Sequence, residues 1–149
     1  MKTQKTLSNT KNQTCLVSWT YDGKDYNPSF PIDNYGFIYE IEFEYDGESF
    51  YYIGKKSFWK QKTLPPLKGY VRKRRSMVES DWRTYCGSSK EIPKTAELKS
   101  RTILEFANSK VHLTYLEVKH MMDNDVLLDS TYYNKNILGK FFDNVDRRS

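Results

Sequence analysis

Two tyrosines, Tyr39 and Tyr52, lie 13 residues apart on either side of an Asp46-Gly47 step. Asp-Gly is the commonest two-residue signal for a type I′ hairpin, because both residues tolerate positive φ. The two phenols are therefore expected side by side on neighbouring antiparallel strands. A phenol is a poor base at its free pKa of ~10, but cations nearby stabilise the phenolate and lower that value. Residues 55–83 supply such cations: Lys55, Lys56, Lys60, Lys62, Lys68, Arg72, Lys73, Arg74, Arg75 and Arg83 stand against two acids, Glu79 and Asp81. That segment carries +8, which leaves −3 for the remainder of a chain whose net charge is +5. A compact positive field beside a phenol pair is the footprint expected for a polyphosphate partner.

Strand periodicity positions the phenols. From Phe37 to Tyr45 large apolar residues recur at every second position, with Glu40, Glu42 and Glu44 among the intervening ones. Period-2 alternation marks a half-buried strand. A second aromatic run, Phe50 to Ile53, returns from the turn and stops at Gly54. In the basic stretch that follows, Pro65-Pro66 and Gly69 rule out one continuous helix, whereas Arg72 to Trp82 is read as helical with Met77, Val78 and Trp82 on its buried side. Phe58, Trp59, Tyr70 and Trp82 are interleaved with the bases, a pattern suited to a surface that holds phosphates. Ser88-x-x-Glu91 has the form of a capping box opening a helix cut short by Pro93. Arg101 to Ala107 reads as a third strand, and Thr114 to about Asp123 as a helix carrying Leu116, Val118, Met121 and Met122. Thr114-x-x-Glu117 is itself a capping box, so the plain role of Glu117 is to satisfy the helix N-cap.

Composition sets the frame. The chain has 149 residues, a mean hydropathy of −0.80 and 15% aromatic residues, which predicts a folded domain with a thin, aromatic-rich core. Residues 1–34, containing the strand-like Cys15–Tyr21 run, are read as an N-terminal extension that lays Trp19 and Tyr21 against a domain at 35–149. Cys15 and Cys86 show no metal-type spacing and are expected to be reduced thiols. No apolar run reaches the ~18 residues that span a bilayer and no signal-peptide h-region is present, so a soluble, cytoplasmic chain is expected.

Phe37-Ile38-Tyr39 followed by Tyr52-Ile53-Gly54 resembles the paired motif of the GIY-YIG nuclease superfamily, with Phe-Ile-Tyr in place of Gly-Ile-Tyr and a glycine one position earlier at Gly36. The Tyr-Ile-Gly-Lys-Lys start, the lysine-rich insert at about 55–83 and the run Glu79-Ser-Asp-Trp-x-x-Tyr-x-Gly-Ser-Ser89 are similar to small phage-encoded members, the homing or Seg-like endonucleases. The resemblance implies an α/β (α+β) fold with a small three-stranded antiparallel sheet flanked by helices. It also implies a metal-dependent endonuclease that hydrolyses DNA, double-stranded by preference, in the host cytoplasm. Glu117 stands where the family's single metal ligand stands, and Mg²⁺, with Mn²⁺ as the alternative, is the implied cofactor. Asn134 matches the asparagine that buttresses the metal–phosphate site. The family's catalytic arginine transfers first to Arg83, with Lys55, Arg75 and Lys90 as alternatives, because the insert alters the spacing. Tyr39 is then the base or water-orienting group and Tyr52 the phosphate-binding partner, or the reverse. Lys55, Lys56, Lys60, Lys62, Lys68, Arg72, Lys73, Arg74, Arg75 and Lys90 are the expected DNA contacts. The competing expectation is a nucleic-acid-binding or host-takeover protein that keeps the fold without turnover.

Overall fold

Alternation along residues 36–45 produces an interior strand of a sheet. The computed structural model describes residues 17–87, 90 and 92–143. In chain order these form β1 (Trp19–Tyr21), β2 (Lys24–Asp25), β3 (Gly36–Tyr45), β4 (Glu48–Ser57), β5 (Trp59–Leu64), β6 (Arg74–Glu79), a 3₁₀ turn (Trp82–Thr84), β7 (Glu97–Ala107), α1 (Lys110–Asp123), β8 (Asn136–Ile137) and β9 (Phe141–Phe142). Asp46 and Gly47 join β3 to β4 with φ of 55° and 81°, the positive-φ pair that a type I′ turn requires.

The main sheet has five strands in the order β2-β1-β7-β3-β4 and is mixed, because β1 runs parallel to β7 while the other pairs are antiparallel. The expected sheet had three antiparallel strands. The two extra ones come from residues 19–25, where Trp19 aligns with Arg101 and Tyr21 with Ile103. Trp19 is buried between the sheet and the 3₁₀ turn, and its indole N–H donates to the Trp82 carbonyl at 2.8 Å. One sheet face holds the aromatic core of Trp19, Phe37, Tyr39, Phe43, Phe58 and Trp82. The other, with Ile38, Ile53 and Ala107, packs against Leu113, Leu116 and Met121 of α1, so a single α-helix flanks the sheet among the described residues.

Three local expectations are corrected. Arg72–Trp82 contains no α-helix; β6 pairs with β5 in a separate two-stranded ribbon, from Trp59↔Glu79 to Leu64↔Arg74, and only Trp82 enters the 3₁₀ turn. The turn residues Pro65, Pro66 and Gly69 (φ 89°) double the chain back so that β5 offers a pairing partner, and tertiary pairing overrides a weak helical pattern. The α1 N-cap is Ser109, whose Oγ accepts from the His112 N–H at 3.1 Å. Thr114 therefore lies inside the helix and donates to the Lys110 carbonyl, and Glu117 is no capping residue. Cys86 is disulfide-bonded rather than a free thiol; Cys15 lies outside the described residues. So do Ser88, Ser89 and Glu91 of the proposed capping box, and no described residue between Tyr85 and Ala96 is helical. No described helix is long and apolar enough to cross a membrane.

Candidate active site

The β3–β4 register sets Tyr39 opposite Gly54 and Ile41 opposite Tyr52, leaving the two phenol rings 6.5 Å apart. Gly54 ends the Tyr-Ile-Gly triplet for a steric reason: a Cβ there would collide with the Tyr39 phenol oxygen and ring carbon. Tyr39 is 1% exposed. Its ring packs edge-on against Trp19 and Tyr85, and its hydroxyl shares a hydrogen bond with the Tyr85 hydroxyl. Burial, then Tyr85, Tyr52 and Glu117, push the Tyr39 pKa well above the ordinary phenol value. No described lysine or arginine is close enough to counter these effects, so the lowering expected from nearby cations does not occur at Tyr39. Gly87, at φ 95°, lies against Ile41 and near the same hydroxyl.

Next to this pair lies a cleft of about 350 Å³, lined by Tyr52, Lys55, Glu117, Asn134, Lys135 and Asn136 among others. Tyr52 and Lys55 lie three residues apart on β4 and so on opposite faces, Tyr52 with the aromatic layer and Lys55 on the α1 side; both line the cleft at the sheet's edge, and Glu117 reaches in from the second turn of α1. Lys55 Nζ lies 3.5 Å from Glu117 Oε1 and donates to Thr114 Oγ1 at 3.0 Å. The Glu117 side chain is 17% exposed. Its pKa is raised, by burial first, with Lys55 acting in the opposite direction. A partly desolvated carboxylate, a lysine and a phenol therefore face one cavity.

Asn134 closes the cleft by backbone mimicry. It is 3% exposed, accepts from the Ile53 N–H at 3.1 Å and donates to the Ile53 carbonyl at 2.8 Å. β4 is the sheet's edge strand, and the Thr131 carbonyl and Tyr133 N–H bond Tyr51 just upstream, both at 2.8 Å. Asn134 continues that pairing with its side chain and so pins the Lys135–Leu138 wall to the strand carrying Tyr52 and Lys55.

The other basic candidates lie elsewhere. Arg83 donates to Glu79 (2.7 Å), Asn27 (2.6 Å) and the Pro28 carbonyl (2.6 Å), and covers the Trp82 ring; it does not line the Glu117 cleft. Arg75 belongs to the β5–β6 ribbon and Lys90 is exposed on a turn. Lys56 pairs with Asp81 at 2.6 Å and sits over the Tyr85 ring. His120 meets Glu105 at 2.8 Å and does not line the cleft. Sequence reasoning missed Tyr85 and Thr114 as site residues; the Trp82-x-x-Tyr85-x-Gly87 run was the available signal for the first.

Whether a divalent cation suits this cleft depends on its donors. No group of three or more His, Cys, Asp or Glu side chains gathers among the described residues, which leaves Glu117 as the lone carboxylate of the cleft. A hard cation such as Mg²⁺ keeps several waters and is commonly held by one or two carboxylates plus substrate phosphate oxygens. The donor set fits that coordination and no all-protein cage.

A family model described as "Putative endonuclease segE, GIY-YIG domain" matches residues 19–137. Those bounds run from the first residue of β1 to the last of β8 and include every residue lining the cleft except Leu138. No curated protein and no solved structure gives a significant match.

Proposed function

We propose, from the premise that this chain belongs to the segE GIY-YIG endonuclease family, that it hydrolyses phosphodiester bonds of double-stranded DNA at the Tyr52–Lys55–Glu117 cleft. The observation that carries the reading is the convergence of Lys55 and Glu117, from β4 and α1, beside the two family tyrosines. A phage-encoded enzyme acting in the host cytoplasm is the setting the family suggests.

Roles follow from exposure and charge. Glu117 would hold Mg²⁺ or Mn²⁺, and that ion would supply charge neutralisation at the phosphate and the departing oxygen. Lys55 rests on Glu117 and, as a flexible point charge, turns to a phosphate oxygen when substrate enters the cleft. It takes the place of the family arginine, because Arg83 is held by Glu79 and the N-terminal segment. Tyr39 remains neutral, since burial disfavours its phenolate; bonded to Tyr85 and packed beside Tyr52, it positions the Tyr52 ring at the cleft and does not itself meet the attacking water. Tyr52, which lines the cleft, is placed to receive the water's proton, entering the step as its phenolate and leaving it as the neutral phenol. Asn134 positions the wall and contacts no reacting atom.

The experiment is incubation of the protein with labelled duplex DNA in Mg²⁺, in Mn²⁺ and in EDTA. Cleavage in either metal and none in EDTA is the expected result. Duplex that is bound yet left intact in both metals contradicts the assignment and favours the non-catalytic binding reading.

A further inference from the structure

The β5–β6 ribbon has no counterpart in the cleft chemistry, yet it carries most of the chain's excess charge. Between Lys60 and Arg75 lie seven cations and no acid. All seven are exposed, and none makes an ion pair among the described residues. The one acid in the two strands, Glu79, is bound to Arg83. At the turn, Tyr70 and Val71 are 70% and 97% exposed.

The ribbon's root is fixed. Phe58 is completely buried and meets Trp82 edge-on at 4.9 Å. The Phe58 carbonyl accepts from the Ser80 N–H at 2.8 Å, the Ser57 carbonyl accepts from Ser80 Oγ at 2.7 Å, and Trp59 packs on Phe30. The register divides the blade: Gln61, Thr63, Met77 and Arg75 share one face, and Lys60, Lys62, Ser76 and Arg74 the other. Six residues per strand span roughly 20 Å, and two strands with side chains are about 12 Å wide. The B-DNA major groove is about 12 Å wide and admits a two-stranded ribbon, whereas the deep, narrow major groove of A-form RNA does not.

We infer that the β5–β6 ribbon enters the major groove of B-form DNA, with Gln61, Thr63 and Arg75 toward the base edges and the remaining cations toward phosphates, and so selects duplex DNA over duplex RNA. The inference deepens the proposed nuclease reading but rests on geometry outside the cleft. Its test is binding in EDTA, where no cutting interferes. Fluorescence anisotropy is recorded for wild type and for the quadruple variant Lys62→Ser, Arg72→Ser, Lys73→Ser, Arg75→Ser on three probes: plain duplex DNA, duplex DNA bearing bulky 5-substituted pyrimidines, and duplex RNA. The variant is checked by circular dichroism for native structure.

Expected results are a loss of at least about 30-fold in duplex affinity and a salt-dependence slope smaller by about 3. For wild type, binding weakens at least about tenfold on groove-blocked DNA and on RNA, while a minor-groove competitor leaves it unchanged. Equal binding of DNA and RNA, displacement by the minor-groove competitor, or a variant that binds like wild type would overturn the inference. A wild type that binds as stated but never cleaves contradicts the hydrolytic reading alone and leaves the ribbon inference standing.

Discussion

Replacing Asn134 with alanine removes both partners of the Ile53 peptide and strips the edge of β4 where it faces the cleft. A buried peptide group left unpaired costs about 1–3 kcal/mol, so Asn134→Ala is expected to lose roughly 2–4 kcal/mol in urea unfolding. A loss under 0.5 kcal/mol would mean the amide does not hold that edge. Glu117 behaves in the opposite sense. Its pKa is raised by burial, so the folded state takes up a proton more readily than the unfolded one. The resulting stability is present at low pH and is lost as pH rises through the folded pKa. Glu117→Gln removes a penalty that exists only where the carboxylate is ionised. Its melting temperature should therefore match or exceed that of wild type at pH 7, with the gap closing toward pH 4.5. A gap that widens on acidification would show that Glu117 is stabilised as an anion in the fold. Tyr39, Tyr52, Glu117 and Asn134 were legible as residues because their spacing follows a motif. Lys55 was legible as one alternative to Arg83, but not as the choice, since which base meets Glu117 depends on where α1 crosses β4.

The hairpin and the ribbon differ in what their sequences disclose. β3 alternates and turns at Asp-Gly into the aromatic run of β4, so the pairing could be read directly from residues 36–57. Gly54 adds a constraint that alternation does not reveal, because the Tyr39 ring lies across it. Gly54→Ala is expected to cost about 1–3 kcal/mol through overpacking. Combining it with Tyr39→Phe, which removes the colliding oxygen, should restore part of that loss. A double-mutant cycle with no coupling would contradict the packing described. β6 was read as part of a helix because Met77, Val78 and Trp82 were grouped without a partner in view. Its partner strand, Trp59–Leu64, is mostly polar, and exposure on both faces leaves little periodicity to find. The start of α1 was placed four residues late because Thr114-x-x-Glu117 imitates a cap, while the true one, Ser109, lacks an acid at N3.

At the scale of the molecule, charge and topology divide the labour. The five-stranded sheet and the aromatic layer fix the phenols and the cleft, while the ribbon projects the positive field from a buried root. Composition announced the thin aromatic core and the basic segment. It did not announce the mixed sheet, because three residues of β1 are too short to signal parallel pairing with β7. The central claim is that Glu117 and the groups around it make this fold a metal-dependent phosphodiesterase. The most direct measurement is the rate of supercoiled plasmid nicking in Mg²⁺ by wild type and by Glu117→Ala, at equal protein and with both proteins shown to be folded. The account predicts nicking by wild type and a rate at least about 1,000-fold lower for the variant. Equal nicking by the two proteins would contradict it.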